Sequence, residues 1–233
     1  SERMTLDGAV NKTAIMLAVL VSTATISWNF SGPLIDLVTL VGIFAAVVSS
    51  FITFGLWIPF IGFIVNPRPY LAPRTWLIFA AGEGFFIGSI SLTFETMFPG
   101  IVLEAVSLTF CVAATLLFLY KSGLVKPSQN FVLMLCSAIF GIMLFYIGAF
   151  IYTLVTGTSP EILSGSSNFS IGLSLFVVGL AALSLVLDFD IIEQSAERGA
   201  PKYMEYFGAM ALVTTLIWLY IEILRLLAKF RSR

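Results

Sequence analysis

One acidic side chain lies in the middle of a long apolar stretch, where an ionised group is costly. Glu83 is the single charged residue between positions 75 and 94. If this stretch is a helix, its rise places Glu83 about 15 Å from Pro73, near the centre of a hydrocarbon core roughly 30 Å thick. A carboxylate at that depth is expected to face a bundle interior or a water-filled cavity. Glu83 therefore indicates a membrane protein with polar chemistry in its interior.

Three further acidic residues, Asp188, Asp190 and Glu193, lie at the end of a later apolar segment. On a helix, the side chains of Asp188 and Asp190 project about 200° apart, so the two cannot both face one site. Two interpretations are open. The cluster marks the interface where the helix leaves the membrane, or Asp188 is drawn into the bundle, where it would bind or gate cations.

The last apolar segment carries two opposite charges, Glu222 and Arg225, spaced three residues apart. On a helix they can pair on one face, which makes charge in an apolar setting tolerable. They form either a neutralising pair, with Arg225 reaching toward the interface, or a salt bridge that lines or plugs a pathway. Thr214 and Thr215, further toward the start of the segment, either supply hydroxyl ligands or bond back to their own helix.

The residues that the chain lacks exclude several kinds of chemistry. With no histidine in the sequence, histidine zinc sites, serine–histidine triads and histidine pH switches are excluded. Cys111 and Cys136 lie singly in apolar runs, so there is no CxxC redox site. The net charge of -1 does not favour nucleic-acid binding. We therefore predict no enzymatic activity, no resident cofactor and no firm metal site.

The composition predicts an all-α integral membrane protein. The sequence is 59% hydrophobic and 11% charged, whereas soluble domains carry about 25% charged residues. Seven apolar segments, which we expect to form one polytopic domain over residues 1–233, are long enough to span a bilayer with some tilt. The second is interrupted by Gly55 and Pro59, with Trp57 as an aromatic anchor. The predicted spans are 12–30, 34–64, 73–97, 101–121, 128–156, 168–194 and 203–229.

Small residues repeat along several of these segments. Ala80, Gly84 and Gly88 are spaced four apart beside Glu83, which predicts a close contact with another helix. Glycines also repeat at intervals of seven in the fifth and sixth segments, and we interpret them as packing faces as well. These glycines are Gly141, Gly148, Gly172 and Gly179.

The distribution of lysine and arginine predicts the orientation. The N-terminal tail and the second, fourth and sixth loops each hold two basic residues, whereas the first, third and fifth loops hold none. This bias predicts a cytoplasmic N-terminus. If the last segment spans, the basic residues from Lys229 onward emerge on the outer side, against the bias. We favour spanning over a segment that returns to the cytoplasm, because residues 206–228 have full spanning length.

Several motifs together resemble the Bax inhibitor-1 (transmembrane Bax inhibitor motif) family, most closely its bacterial branch. The resemblance rests on LVLDFDIIE, a following Pro-Lys loop and a final WLYIEILRLL. It is supported by MTLDGAVNKT near the start, by GEGFFIGSIS and by FPGIVLEAVSLTF. It covers nearly the whole chain from Met4 onward and implies a multi-pass protein of the bacterial plasma (inner) membrane.

The resemblance implies six helices around a central C-terminal helix. It also implies a calcium leak that pH controls through two aspartates, one on each of the last two helices. Asp188 matches the first aspartate, but Thr215 occupies the position of the second when the chain is aligned on Arg225. A switch built on two aspartates cannot work unchanged here, so Asp190, Glu83 or Glu222 would have to replace the missing carboxylate.

Two functions remain as hypotheses. The first is a pH-sensitive leak pathway for Ca²⁺ or other cations, in which carboxylates act as ligands and proton sensors. The second is a non-conducting scaffold or regulator that binds partners such as a membrane protease, with the buried charges serving the structure. The lipid bilayer is the expected environment, and the sequence identifies no protein partner. Cation flux into vesicles that contain only this protein distinguishes the two hypotheses.

Overall fold

The computed structural model describes residues 3–29, 33–54 and 68–233, and the structural statements below concern this part of the chain. It contains eight α-helices and one short 3-10 helix, Pro69–Leu71, and no strand among the described residues. The α-helices are α1 (Leu6–Asn29), α2 (Pro33–Phe54), α3 (Ala72–Met97), α4 (Ile101–Lys121), α5 (Gln129–Thr156), α6 (Glu161–Ser164), α7 (Asn168–Glu197) and α8 (Tyr203–Arg231).

Six of these helical segments are long and apolar enough to cross a membrane, which confirms a multi-pass, all-helical protein. They are α1, α3 with its preceding 3-10 turn, α4, α5, α7 and α8. The predicted span 34–64 begins with α2, but its continuation through Gly55, Trp57 and Pro59 lies outside the described residues. The count of seven spans and the single domain over 1–233 therefore stay predictions.

About half of the helix ends coincide with the predicted spans, and the larger differences arise because polar residues continue a helix beyond its apolar part. α1 begins at Leu6, earlier than residue 12, and the Oγ1 of Thr5 accepts the Gly8 amide at 3.0 Å. This is the capping hydrogen bond that satisfies a free N–H of the first turn. Ser128 caps α5 in the same way through the Phe131 amide, at 3.2 Å. The predicted loop after α5 contains the short α6.

The described chain forms two compact units. One comprises Ser1–Thr96 with Ile191–Thr214, and the other comprises Met97–Asp190 with Thr215–Arg233. Both α7 and α8 contribute residues to each unit.

In the first unit, α1 and α3 approach each other closely. A Cβ at Gly84 would collide with Thr23 Oγ1 and the Leu20 carbonyl, and one at Gly88 would collide with the Ala24 carbonyl. The contact predicted from these small residues is confirmed, since it depends on the absence of side chains at this face.

The packing role predicted for the seven-residue glycine repeats is wrong. Apart from the adjacent residues and backbone of its own helix, no described atom lies within 4 Å of a Cβ built on any of the four, so added side chains would meet open space. α5 is also the least buried candidate span, with 6% of its most apolar stretch buried, against 56% in α8. Glycine spacing alone does not distinguish a covered helix face from an open one. The four residues are Gly141, Gly148, Gly172 and Gly179.

In the second unit, Arg231 anchors the end of α8. Its Nη1 donates to the carbonyl of Pro99 at 2.7 Å, and its Nη2 pairs with the Glu104 carboxylate, also at 2.7 Å. The end of α8 is thereby joined to the start of α4.

Candidate functional site

Asp188 lies partly buried on α7 in the second unit, a few residues after the buried Leu185 and Val186. The hydroxyl of Thr215, on α8, donates a hydrogen bond to its carboxylate. The second carboxylate oxygen, Oδ2, is buried without a hydrogen-bond partner among the described residues. A buried polar atom that lacks a partner is uncommon and destabilising, because it has lost its water without replacement. Asp188 can therefore accept a proton, a water or a cation at Oδ2.

Asp190 has a different environment, although it is only two residues away. The hydroxyl of Tyr120, on α4, donates to its Oδ1 at 3.2 Å. The Tyr120 ring also packs near Phe189, with centroids 6.1 Å apart. The two aspartates thus contact different groups, as their divergent directions on a helix require.

Glu83 belongs to the first unit, whereas the other five candidate residues belong to the second. It is partly buried on α3, between two glycines that face different helices. A Cβ at Gly82 would meet Gly42 and Ala46 of α2, and one at Gly84 would meet Leu20 and Thr23 of α1. α3 therefore packs against α2 and α1 through the two residues that flank Glu83.

Glu222 and Arg225 form the ion pair predicted from their spacing, with Nη1 3.3 Å from Oε1. The Tyr146 hydroxyl, on α5, donates to the same oxygen at 3.3 Å, and the Trp218 side chain donates a further hydrogen bond to the carboxylate. The Glu222 side chain is 4% exposed, whereas that of Arg225 is 48% exposed. The carboxylate is thus buried and surrounded by donors, while the guanidinium remains accessible.

Lys229 is part of the same cluster, which sequence reasoning missed by treating it as the start of an exposed tail. The residue is 9% exposed, and its Nζ donates to Ser174 Oγ at 2.8 Å and to the Ser170 carbonyl at 3.3 Å. Tyr146 was also missed, since a tyrosine in an apolar segment suggests an interface or packing residue and carries no sign of a partner 76 positions away.

Another buried carboxylate in the first unit gave no signal in the sequence. Glu205, at the start of α8, is 2% exposed. Its Oε1 accepts the Thr5 amide at 2.9 Å and the Thr5 hydroxyl at 3.0 Å, and Lys12 Nζ lies 3.2 Å from Oε2. These partners hold the chain segment before α1 against the start of α8.

No group of three or more Asp, Glu, Cys or His residues in the described ranges is placed to hold a metal ion. A tight Ca²⁺ site uses six to eight oxygen ligands. Asp188 with Thr215 offers far fewer, so this arrangement suits a proton or a weakly held cation.

Comparison with protein families adds to this geometry. The family model described as "Bax inhibitor 1 like" matches residues 1–232. The chain belongs to this family. No curated protein matches the sequence significantly. Family membership and the six apolar helices together identify a multi-pass membrane protein in a lipid bilayer.

Proposed function

We propose that this Bax inhibitor 1 like protein provides a leak pathway for cations, Ca²⁺ among them, and that Asp188 makes the leak sensitive to pH. The observation that carries the proposal is the buried Oδ2 of Asp188, which lacks a hydrogen-bond partner among the described residues. When ionised, this oxygen attracts a cation, and when protonated it does not. A single carboxylate near the pathway can then link proton concentration to cation passage.

Thr215 suits both protonation states of Asp188. A hydroxyl donates to an ionised carboxylate, and it also accepts a hydrogen bond from a protonated one. Asp188 and Thr215 offer few oxygen ligands and would hold a cation weakly. Weak binding favours conduction, because a conducted cation must leave the site as readily as it enters. With threonine at the second position, the proposed switch takes up one proton at Asp188.

The test is Ca²⁺ entry into vesicles that contain only the purified full chain, measured over a pH series. We expect entry above that of protein-free vesicles. Asp188→Asn should change the basal leak and flatten its pH response. Asp190→Asn is the matched control, since it neutralises a carboxylate two residues away that has Tyr120 as a donor.

Two results would contradict the proposal. Absence of entry above protein-free vesicles would exclude a leak and leave the non-conducting scaffold or regulator as the function. The same pH response in wild type and both variants would remove Asp188 from gating.

We further propose seven spans in the bacterial plasma membrane, with α2 as the additional span, a cytoplasmic N-terminus, a central last helix and no enzymatic activity. The high burial of α8 supports a central position. The concentration of Lys and Arg in alternate loops supports the orientation.

Single cysteines at Ser122 and Ser164 test this orientation in cells, after both exposed native cysteines, Cys111 and Cys136, have been replaced. A membrane-impermeant thiol reagent should label position 164 in intact cells, and position 122 only after the membrane is opened. Labelling of both positions from one side would contradict the arrangement.

A further inference from the structure

A cavity of about 240 Å³ lies in the second unit beside the Glu222–Arg225 pair. Its polar lining comes from Tyr146, Ser174, Glu222, Arg225 and Lys229, and its apolar lining comes from Leu163 and Leu173. Two cations and one carboxylate thus line a cavity that is large enough for several waters or a small polyatomic ion. The surplus charge is positive, which disfavours this cavity as a site for Ca²⁺.

The carboxylate does not neutralise both cations. Glu222 already accepts hydrogen bonds from Tyr146 and Trp218 in addition to its ion pair with Arg225. The Arg225 guanidinium uses Nη1 for that pair and is half exposed, so N–H donors remain available toward the cavity. Its Cζ lies 6.0 Å from the centroid of the Tyr146 ring, within the range of a cation–π contact.

Lys229 is the second source of unmatched charge. Its buried ammonium donates to Ser174 Oγ and to the Ser170 carbonyl, both of which are neutral acceptors. Within the described part of the chain, no carboxylate forms a salt bridge with it. Glu222 attracts the ammonium only from beyond salt-bridge distance and already pairs with Arg225, so an anion in the adjacent cavity would stabilise this arrangement.

We propose that the cavity binds a phosphate oxyanion. Arg225 and Lys229 pair with its negative charge, and the Ser174 hydroxyl donates a hydrogen bond to it. The planar guanidinium can contact two oxygens of a phosphate at once, and the ammonium adds a compact second charge. Leu163 and Leu173 extend the site with an apolar surface, which suits the first part of the acyl chains of an anionic lipid. The phosphate comes either from such a lipid headgroup or from free phosphate.

The proposal is tested by thermal melts of the purified full chain in detergent, because a ligand that binds the native state raises the melting temperature. The probes are dioctanoyl phosphatidic acid, dioctanoylglycerol as the same lipid without phosphate, and inorganic phosphate at constant ionic strength. Phosphatidic acid should stabilise the wild type and dioctanoylglycerol should not. If phosphatidic acid raises the melting temperature and inorganic phosphate does not, the ligand is a lipid headgroup. If inorganic phosphate also raises it, and Lys229→Gln removes both effects, the free ion suffices.

Matched variants locate the effect in the cavity. Lys229→Gln retains hydrogen-bonding capacity toward the two serines but loses the charge, and should weaken phosphatidic acid binding by about tenfold or more. Lys229→Arg should retain binding. Arg231→Gln removes the same charge from the same helix at a residue that does not line the cavity, and should leave binding unchanged.

A further variant protects the test if Lys229→Gln does not fold. Arg225→Lys keeps the charge opposite Glu222 but loses the bidentate contact, and should weaken binding by about tenfold. Four results would overturn the proposal: no binding to wild type, equal stabilisation by dioctanoylglycerol, unchanged binding in both Lys229→Gln and Arg225→Lys, or a loss of binding in Arg231→Gln as large as in these two variants.

Discussion

Two carboxylates of the second unit, the buried Glu222 and the partly buried Asp188, have opposite surroundings. Glu222 is paired with Arg225 and accepts further hydrogen bonds from Tyr146 and Trp218. Asp188 has the hydroxyl of Thr215 and one buried oxygen that no described residue contacts by a hydrogen bond.

The difference lies in what each group can still gain. A buried polar group whose partners are all present rigidifies its surroundings, and losing a partner is costly. A buried group with a partner missing stabilises the fold less, but it can still respond to a proton or an ion. The same side-chain chemistry therefore supports structure at Glu222 and, as we propose, regulation at Asp188.

The largest expected effect is on the Glu222 side of this comparison. Glu222→Gln removes the charge that neutralises Arg225 and should lower the free energy of unfolding by about 3 kcal/mol. That is the lower end of the range for broken buried pairs, because the guanidinium is half exposed. Thermal melts of the purified protein in detergent measure the loss.

The double variant Glu222→Gln with Arg225→Met provides the control for the pair. Removing both charges leaves no unmatched group, so much of the lost stability should return. Additive losses of stability would mean that the two residues do not act as a pair. Glu222 would then no longer contrast with Asp188 as a fully paired carboxylate.

A smaller loss is expected at Thr215. Thr215→Val keeps the shape of the side chain but removes the donor to Asp188, and a hydrogen bond to a charged group contributes about 1.5–3 kcal/mol. Thr214→Val is the matched control, since the Thr214 hydroxyl bonds to the Met210 carbonyl of its own helix at 2.8 Å. Equal melting temperatures for the two variants would argue against a stabilising contact between Thr215 and Asp188.

The smallest effect on stability is expected for Asp188→Asn. The amide keeps an oxygen that can accept from Thr215, and the change removes a charge that is incompletely paired. The free energy of unfolding should stay within about 1 kcal/mol of wild type or rise, in contrast to the loss at Glu222→Gln. A loss in melts as large as that of Glu222→Gln would show that Asp188 serves the fold as Glu222 does.

What could be predicted from the sequence was mainly local. α4 begins and ends where its apolar run does, at Ile101 and Lys121. The Glu222–Arg225 pair follows from a spacing of three residues on one helix. The bounds of α4 and the Glu222–Arg225 pair depend only on helix geometry and on residues close in sequence, so both can be inferred from the local sequence pattern.

The remainder of the candidate site depends on contacts between distant parts of the chain. Lys229 bonds to residues 55 and 59 positions away, and Tyr146 reaches Glu222 over 76 positions. No local pattern encodes which polar side chain will meet which. The glycines illustrate the same point, because Gly84 lies against another helix whereas Gly179 meets open space.

The contacts of Glu205 have a consequence for the timing of biosynthesis. Its carboxylate joins residue 5, ahead of the first helix, to the last helix across 200 positions. At about 5–20 residues per second, the ribosome needs roughly 10–40 s to synthesise that interval. Until Glu205 has been synthesised, the Thr5 amide and the Lys12 ammonium lack this carboxylate as a partner. The start of α1 is therefore bound to Glu205 only after translation has reached α8. A chain whose synthesis stops earlier lacks these contacts at its first helix.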